Sequence, residues 1–455
     1  MVISPLDNVE VREDGHKYAR CDIAAGENVV KYGLPIGHAV APIAKGEHVH
    51  VHNLATNLGD AVEYRYEPSF ADVVRVRSPL IRAYRHSDGR IGIRNDLWIV
   101  PLVGCVNGLC ERLAAACGGI ALTHPYGCSQ LGRDHETTAN LLAALCRHPN
   151  AGGVLVVSLG CENNTLETFL PRLDPRPSTL NLRVLRAQDP GDEFARGLEL
   201  LKELDAERPK ERVEVPVSEL TVGLKCGGSD GFSGLTANPL VGRFSDWLVA
   251  RGGATVLTEV PEMFGAETLL MKRCRTRRVF ERCVKMVGDF KGYYAAHGQP
   301  CCENPSPGNR AGGITTLEDK SLGCVQKGGT SPVEDVLDYG ECVRTRGLSL
   351  MTGPGNDLVA STVLAAAGCH LILFTTGRGT PFGSVVPTLK IASNDALARN
   401  KPNWIDWNAM SEPDVEKFAA KVMAVASGDE RTRNEETGDR GIAIFKDGVT
   451  LEVKG

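Results

Sequence analysis

Residues 220–259 read LTVGLKCGGSDGFSGLTANPLVGRFSDWLVARGGATVLTE. An apolar run, Leu220–Leu224, meets a glycine-rich turn, Cys226-Gly227-Gly228-Ser229-Asp230. Helical spacing follows over Phe244–Ala250, then a second apolar run over Ala254–Leu257, closed by Glu259. Strand, turn, helix and strand in that order predict a parallel pair with a crossover helix. The alternation extends outward from this block. Downstream, Cys283–His297 is helical and Leu371–Phe374 is a strand ending in Thr375-Thr376-Gly377-Arg378-Gly379. Upstream, Leu97–Val103, Gly119–Leu122, Val154–Leu159 and Leu182–Leu185 are strands, separated by helical stretches at Leu109–Cys117, Asp134–Arg147 and Glu193–Leu204. The expected fold class is α/β, with two Rossmann-like domains of mostly parallel sheet at 81–218 and 219–455. Residues 300–335, rich in Gly, Pro and Ser, read as a long functional loop.

The chain opens differently. Residues 1–54 carry short β-like pieces punctuated by Gly26, Gly33-Leu34-Pro35 and Gly46, and DIAAGENVVKYG resembles PIAKGEHVHVHN. They predict a small all-β domain, followed by a linker at 55–80 with some strand at Val73–Val76. The 455 residues exceed one ordinary core. A net charge of −5 argues against a nucleic-acid partner. No apolar run approaches a membrane span and no signal peptide is visible, so a cytoplasmic protein with reduced cysteines is expected.

The chemistry concentrates at strand ends, where parallel sheets bind ligands. Cys105, Cys128, Cys161 and Cys226 each follow a predicted strand beside glycine, and thiolates suit iron or zinc; small cysteines that merely pack are the bland alternative. His48-Val49-His50-Val51-His52 alternates with period two, which would put three imidazoles on one strand face, as metal ligands or as an exposed polar edge. His16-Lys17 could meet an anion. His124, Asp134 and His135 flank Cys128 and suit acid–base work or a helix cap. Glu162, Glu259 and Glu262 offer strand-end carboxylates as metal ligands or bases, although Glu262 equally suits a helix entry. Arg378 fits carboxylate recognition. Lys390 is a candidate base if buried, or a snorkelling strand-edge lysine.

Several blocks are more specific: DGRIGIRNDLWIVPLVGCVN, HPYGCSQLGRDH, CGGSDGFSGLTANPLVGRFSDWLV, TEVPEMFGAE, ENPSPGNRAGGITTLEDKSLGCVQKGG and LFTTGRGTPFG. In this order they resemble the altronate/galactarate dehydratase family from about residue 81 to Trp407, and GHKYARCDIAAGENVVKYGLPIGHAVAPIAKGEHVHVHN resembles the SAF domain that precedes its catalytic region. Val9 to Gly15 is shorter than the family pattern, as if one hairpin were missing. The resemblance implies a hydro-lyase of hexuronate degradation. D-Altronate would lose water to give 2-dehydro-3-deoxy-D-gluconate, with Fe2+ or Mn2+ as cofactor, in a homo-oligomer, most simply a dimer. Galactarate dehydratase and sulfolactate sulfo-lyase, which splits the SAF and catalytic parts into separate subunits, are the competing relatives. The resulting expectations are metal binding by His48, His50, Cys105, Cys128, Cys161, Glu162, Cys226 and Glu259. The proton-transferring groups come from His135, Lys390, Asp134 and His124. Substrate contacts come from His16, Lys17, Arg378, Gly227, Ser229, Asp230 and Asn309. An inactive sugar-acid sensor and an iron–sulfur hydro-lyase using the four strand-end cysteines are the alternatives of other classes.

Overall fold

A computed structural model describes residues 1–59, 63–130, 132–173, 179–300 and 305–447. The N-terminal unit consists of six short strands: β1 (Val9–Val11), β2 (Lys17–Ala19), β3 (Asn28–Lys31), β4 (Leu34–Ala39), β5 (His48–Val49) and β6 (Leu54–Ala55). They form two three-stranded antiparallel sheets, β1-β2-β5 and β3-β4-β6. The sequence repeat is a structural one. In each copy a glutamate carboxylate (Glu27, Glu47) accepts the N–H of an alanine three residues earlier (Ala24, Ala44) at 2.9 Å. Each turn then closes through a glycine at positive φ, Gly26 or Gly46. Ile23 and Ile43 bridge the two copies. The short Val9–Gly15 segment is a tight hairpin joining β1 to β2.

Beyond residue 55 no strand occurs among the described residues until β7 (Leu80–Arg85). The expected strand at 73–76 does not form, because this stretch lies along the larger α/β region, with Val76 N donating to Ala250 O and Ser69 N to Lys272 O. Strand β7 pairs with β8 (Ile91–Gly92) and, later in the chain, with β13 (Val213–Pro216). Between them lies a four-stranded parallel sheet of β9 (Asp96–Pro101), β10 (Ile120–Ala121), β11 (Ala151–Ser158) and β12 (Leu182–Arg186), in the order β10-β9-β11-β12. Helices Asn107–Cys117, Gly132–Cys146 and Glu193–Glu207 cross over it.

The larger α/β region is built on seven parallel strands: β14 (Thr221–Cys226), β15 (Ala254–Leu257), β16 (Val333–Leu337), β17 (Gly347–Met351), β18 (Leu371–Thr376), β19 (Thr388–Ala392) and β20 (Trp407–Asn408). Their order is β16-β17-β15-β14-β18-β19-β20. Strands β14, β15, β17, β18 and β19 are buried along their whole length, as expected when helices cover both faces of a parallel sheet. The chain leaves β14 toward β15 and returns on its other side as β18. That reversal opens a crevice beyond the carboxyl ends of β14 and β18, the place where open α/β sheets bind ligands. One apolar core joins the N-terminal unit to the larger region, and a second packs Trp98 and Val156 of the smaller sheet with Val256 and Phe374 of the larger one. No helix among the described residues is long and apolar enough to cross a membrane.

The stretch read as a loop at 300–335 is largely helical: Pro307–Ala311, Leu317–Cys324 and a 3₁₀ turn Val325–Gly328, with β16 beginning at Val333; residues 301–304 lie outside the described set. Its Gly, Pro and Ser are punctuation rather than loop. Ser306 closes a capping box with Asn309, and Thr316 Oγ1 accepts from Asp319 N.

Candidate active site

A cleft of about 560 Å³ occupies the crevice, walled by Cys226–Ser229 after β14, Pro261-Glu262 after β15, the Gly308-Asn309 helix, Lys320, Gly355–Asp357 and Arg378 after β18. A larger groove of about 720 Å³ runs under the linker by Phe70–Val74, away from these strand ends.

At the cleft floor three ligand-type atoms converge. Cys226 Sγ and Cys324 Sγ each lie 3.0 Å from Glu262 Oε2 and 3.4 Å from each other, all buried. Sequence reasoning counted Cys226 and considered Glu262 but passed over Cys324. A signal was present: Lys320, Cys324 and Lys327 are spaced i, i+4, i+7, one face of a helix, and that face meets Glu262 and Cys226. Lys320 Nζ is 2.8 Å from Glu262 Oε1, and Lys327 Nζ is 2.8 Å from Cys226 Sγ. A third buried lysine at this edge, Lys225, bonds Glu259 at 2.8 Å and Asp357 at 2.6 Å.

The charges are set by this packing. Burial opposes the ionisation of Glu262, yet Lys320, Lys327 and the Cys324 thiol hold its carboxyl down at about 2. Burial likewise opposes the charge on Lys225, and Glu259 and Asp357 outweigh it, raising the ammonium above its ordinary value. The hydrogen bond with Cys226, then burial, pushes the Cys324 thiol well up. Glu259 does not join the sulfur–carboxylate triangle: its oxygens serve Lys225, Lys327 and the N–H of Cys226. Its backbone sits at φ 72, a left-handed conformation rare for a non-glycine residue; such strain costs on the order of 1–3 kcal/mol and persists where surrounding contacts enforce it.

This set fits a divalent cation. The three carboxylates Glu259, Glu262 and Asp357 face the three ammonium groups Lys225, Lys320 and Lys327. Two thiolates would then be matched by one doubly charged ion, and ligating thiols bind deprotonated.

Other expected substrate residues gather here with varied freedom. Arg378 is exposed at the rim and donates to Gly308 O at 2.8 Å. Asn309 donates to Ser229 O and accepts from Lys320. The N–H of Gly227 is spent on Thr375 O, and a Cβ there would come within 2.6 Å of Asp357 Oδ1. Asp230 is tied to Ser233, Ser393 and Asn394, bracing the turn rather than facing the cleft. Lys390 is absent from the cleft wall. Its Nζ donates to Thr380 O and Pro381 O, and burial lowers its pKa to about 8.

The N-terminal unit docks beside the cleft. Fully buried Lys17 donates to Gly313 O at 2.5 Å and to Asp319 at 2.7 Å, and Lys31 reaches the other Asp319 oxygen at 3.1 Å. Burial, offset in part by Asp319, takes Lys17 down to about 8. The imidazoles cluster although β5 ends at Val49, because the turn that follows still keeps the rings together: His48 Nε2 lies 3.2 Å from His16 Nδ1, and the ring centroids of His48 and His50 are 5.4 Å apart. Burial lowers the pKa of both His48 and His50, and His50 Nε2 bonds Arg310 O at 3.0 Å.

The remaining expected residues lie at the edge of the smaller sheet, apart from the cleft walls. Cys105, Cys128 and Cys161 are exposed. The Glu162 carboxylate is consumed by its own strand end, accepting from Ser158 Oγ (2.5 Å), Gly160 N (2.6 Å) and Leu159 N (3.2 Å). His124 spends both ring nitrogens on backbone, with Pro101 O and Tyr126 N. Asp134, buried on the helix Gly132–Cys146, accepts from Asp447 N, and the neighbouring His135 has a buried Nδ1 without a partner.

The chain matches three family models along its length: "Altronate/galactarate dehydratase SAF domain" over residues 3–57, "D-galactarate dehydratase/Altronate hydrolase, second domain" over 83–208, and "D-galactarate/Altronate dehydratase, C-terminal" over 217–450. It is 52% identical to the altronate dehydratase of Bacillus subtilis (strain 168), over 98% of this chain and 94% of that one. It is also 52% identical to the altronate dehydratase of Escherichia coli (strain K12), over 98% and 95%. The galactarate dehydratase (L-threo-forming) of Escherichia coli (strain K12) is 32% identical, over 97% and 91%.

Proposed function

The chain belongs to the D-galactarate/altronate dehydratase family, and on that footing we propose that it removes water from D-altronate, giving 2-dehydro-3-deoxy-D-gluconate, in the crevice beyond β14 and β18. The observation that carries this reading is the Cys226–Glu262–Cys324 triangle on the floor of a cleft rimmed by Arg378. The choice of D-altronate over galactarate follows the 52% against 32% identity of the respective relatives.

In this reading Cys226, Glu262 and Cys324 hold the divalent metal. When bound, it supplies Lewis acidity that stabilises the negative charge developing on the substrate carboxylate. Arg378, exposed at the rim of the cleft, grips the carboxylate. Asp357 is the carboxylate of the wall with one oxygen pinned by Lys225; it takes the C2 proton. Lys320, held charged by Glu262, gives a proton to the departing C3 hydroxyl, and water leaves. The enol then becomes the 2-keto-3-deoxy acid. Proton transfer falls to Asp357 and Lys320, not to His135 or Lys390, because only the former pair line the cleft.

The test is formation of 2-keto-3-deoxy acid by anaerobically purified protein supplied with Fe2+ or Mn2+, with D-altronate, galactarate and sulfolactate in parallel. Turnover confined to D-altronate is expected. Turnover of another acid would move the substrate, and a fully active Cys324→Ser variant would remove the site.

A further inference from the structure

We propose that the carboxyl edge of the smaller sheet is a second inorganic site, an iron–sulfur cluster held by Cys105, Cys128 and Cys161. The inference is independent of the cleft just described and concerns a different sheet.

Cysteine is among the residue types most often buried. Four described cysteines are exposed, Cys21, Cys105, Cys128 and Cys161. Three of these four follow β9, β10 and β11, neighbouring strands that point the same way. The loops carrying them are clasped together: Gly104 N donates to Tyr126 O at 2.8 Å, Asn164 N to Gly127 O at 3.1 Å and Ser129 N to Asn163 Oδ1 at 2.8 Å. Thiols scattered at random over a surface would not share one clasped edge.

The local backbone is shaped for close approach. Each of the three cysteines follows a glycine. At Gly127, φ is +100 and a Cβ would come within 1.9 Å of Leu102 O, so no side chain fits. Ser129, next to Cys128, is a non-glycine residue in the left-handed region at φ 58, the sort of outlier that gathers at functional sites. Each loop also holds an amide with a buried atom that has no hydrogen-bond partner: Asn107 Oδ1, Gln130 Nε2 and Asn164 Oδ1. Gln130 and Asn164 are at least nine-tenths buried. Buried unpartnered amides are uncommon; of these three atoms Gln130 Nε2 is the one donor, the kind of group that cluster sulfurs accept, since Asn107 Nδ2 and Asn164 Nδ2 already donate to His124 O and Leu102 O. Two thiols already have donors turned to them, Ser129 Oγ to Cys128 Sγ at 3.8 Å and Gln188 Nε2 to Cys161 Sγ at 3.7 Å.

The class of ligand follows from how the sulfurs are spread. Cys226, Glu262 and Cys324 converge as one ion requires; among the described residues no such single-ion group includes Cys105, Cys128 or Cys161. Three soft donors on one edge that do not meet at a point suit a polynuclear group. Three thiolates are one short of the four that saturate a [4Fe–4S] cluster, which leaves one iron open to a small oxygen ligand.

The experiment uses the full chain, stripped of metal under anaerobic conditions, supplied with Fe3+, a thiol reductant that brings part of it to Fe2+, and sulfide, then desalted. Iron, acid-labile sulfide and visible absorption are measured. Wild type should retain labile sulfide with a broad visible chromophore. Cys105→Ser, Cys128→Ser and Cys161→Ser should each lose both to the background of chelator-treated protein, while Cys324→Ser keeps them. A second readout guards against misfolded variants: in loaded wild type the three cysteines should resist alkylation, and a chelator should expose them. Wild type that retains iron without sulfide, a chromophore that survives Cys128→Ser with Cys161→Ser, or equal alkylation of loaded and stripped protein would each overturn the proposal.

Discussion

At the end of β14 the lysine and the glutamate of the cleft floor are answered by distant charges: Lys225 by Glu259 and Asp357, Glu262 by Lys320. At the end of β11 the carboxylate of Glu162 is answered by its own loop, and the neighbouring cysteines face outward. Both edges have the same local grammar, a parallel strand followed by glycine, cysteine and acid. What separates them is what closes over them. The larger edge is covered by the Leu317–Cys324 helix, itself fixed by Asp319 to the N-terminal unit. A covered edge can sustain strong buried electrostatics, because low dielectric magnifies each pairing and penalises each unpaired group. An open edge keeps its thiols available and its acid structural.

The comparison can be broken most directly through Cys324→Ser or Glu262→Gln. Either should reduce turnover by more than about 100-fold, beyond the loss seen when groups merely supporting a metal ligand are removed, and metal analysis should show the divalent ion gone from the cleft. Arg378→Lys comes next. It keeps the charge but loses the planar fork, so kcat/KM for the sugar acid should fall roughly 10- to 100-fold, the scale of one charged hydrogen bond, with most of the change in KM. Steady-state kinetics decide it; an unchanged KM would detach Arg378 from the carboxylate.

Glu162→Gln probes the open edge. The variant should lose about 1–3 kcal/mol of stability through its unmatched amide hydrogens and lost acceptors, with turnover nearly intact. Burial would raise the Glu162 pKa, but Ser158 and the Gly160 and Leu159 N–H groups bring it below its ordinary 4.5. A depressed carboxylate stabilises the fold fully above its unfolded pKa and loses that contribution as pH falls through the folded one. The stability gap between wild type and variant, from denaturant titrations, should therefore shrink below about pH 4.5. A gap independent of pH would mean that Glu162 is not held as the anion. The smallest effect on turnover is expected for Lys390→Met, because its amine faces two carbonyls of the 380–381 loop. A large drop in kcat with unchanged thermal stability would return Lys390 to the proton-transfer chemistry.

The strand–turn–helix grammar around 220–259 was enough to read the parallel sheets, and glycine spacing was enough to read the β unit. Cys226 was legible because strand-end position is a local property. Cys324 was not: it lies 98 residues from Cys226 on a helix hidden within a Gly- and Pro-rich stretch. The lysines were illegible for a different reason. Lys225, Lys320 and Lys327 are polar in any hydropathy reading, and only long-range pairing makes their burial tolerable; Lys17, read as an anion contact, is instead fully buried on Asp319. Glu162 shows the converse, a residue at the expected position whose oxygens are already spent locally.

The Lys17–Asp319–Lys31 contact has one more consequence. It is seated in tight backbone packing, where a Cβ on Gly231 or Gly313 would strike the Gly15 carbonyl at 1.9 or 2.2 Å. The first 55 residues are thus clamped to the body by fit and charge of their own, besides the bonds that hold the strap itself to the body, such as Ser69 N to Lys272 O and Val76 N to Ala250 O. Covalent continuity is then dispensable: two polypeptides made separately, divided along that strap, should find each other and assemble into a working whole, and Asp319→Ala should abolish the reunion while sparing the uncut chain more than the divided one.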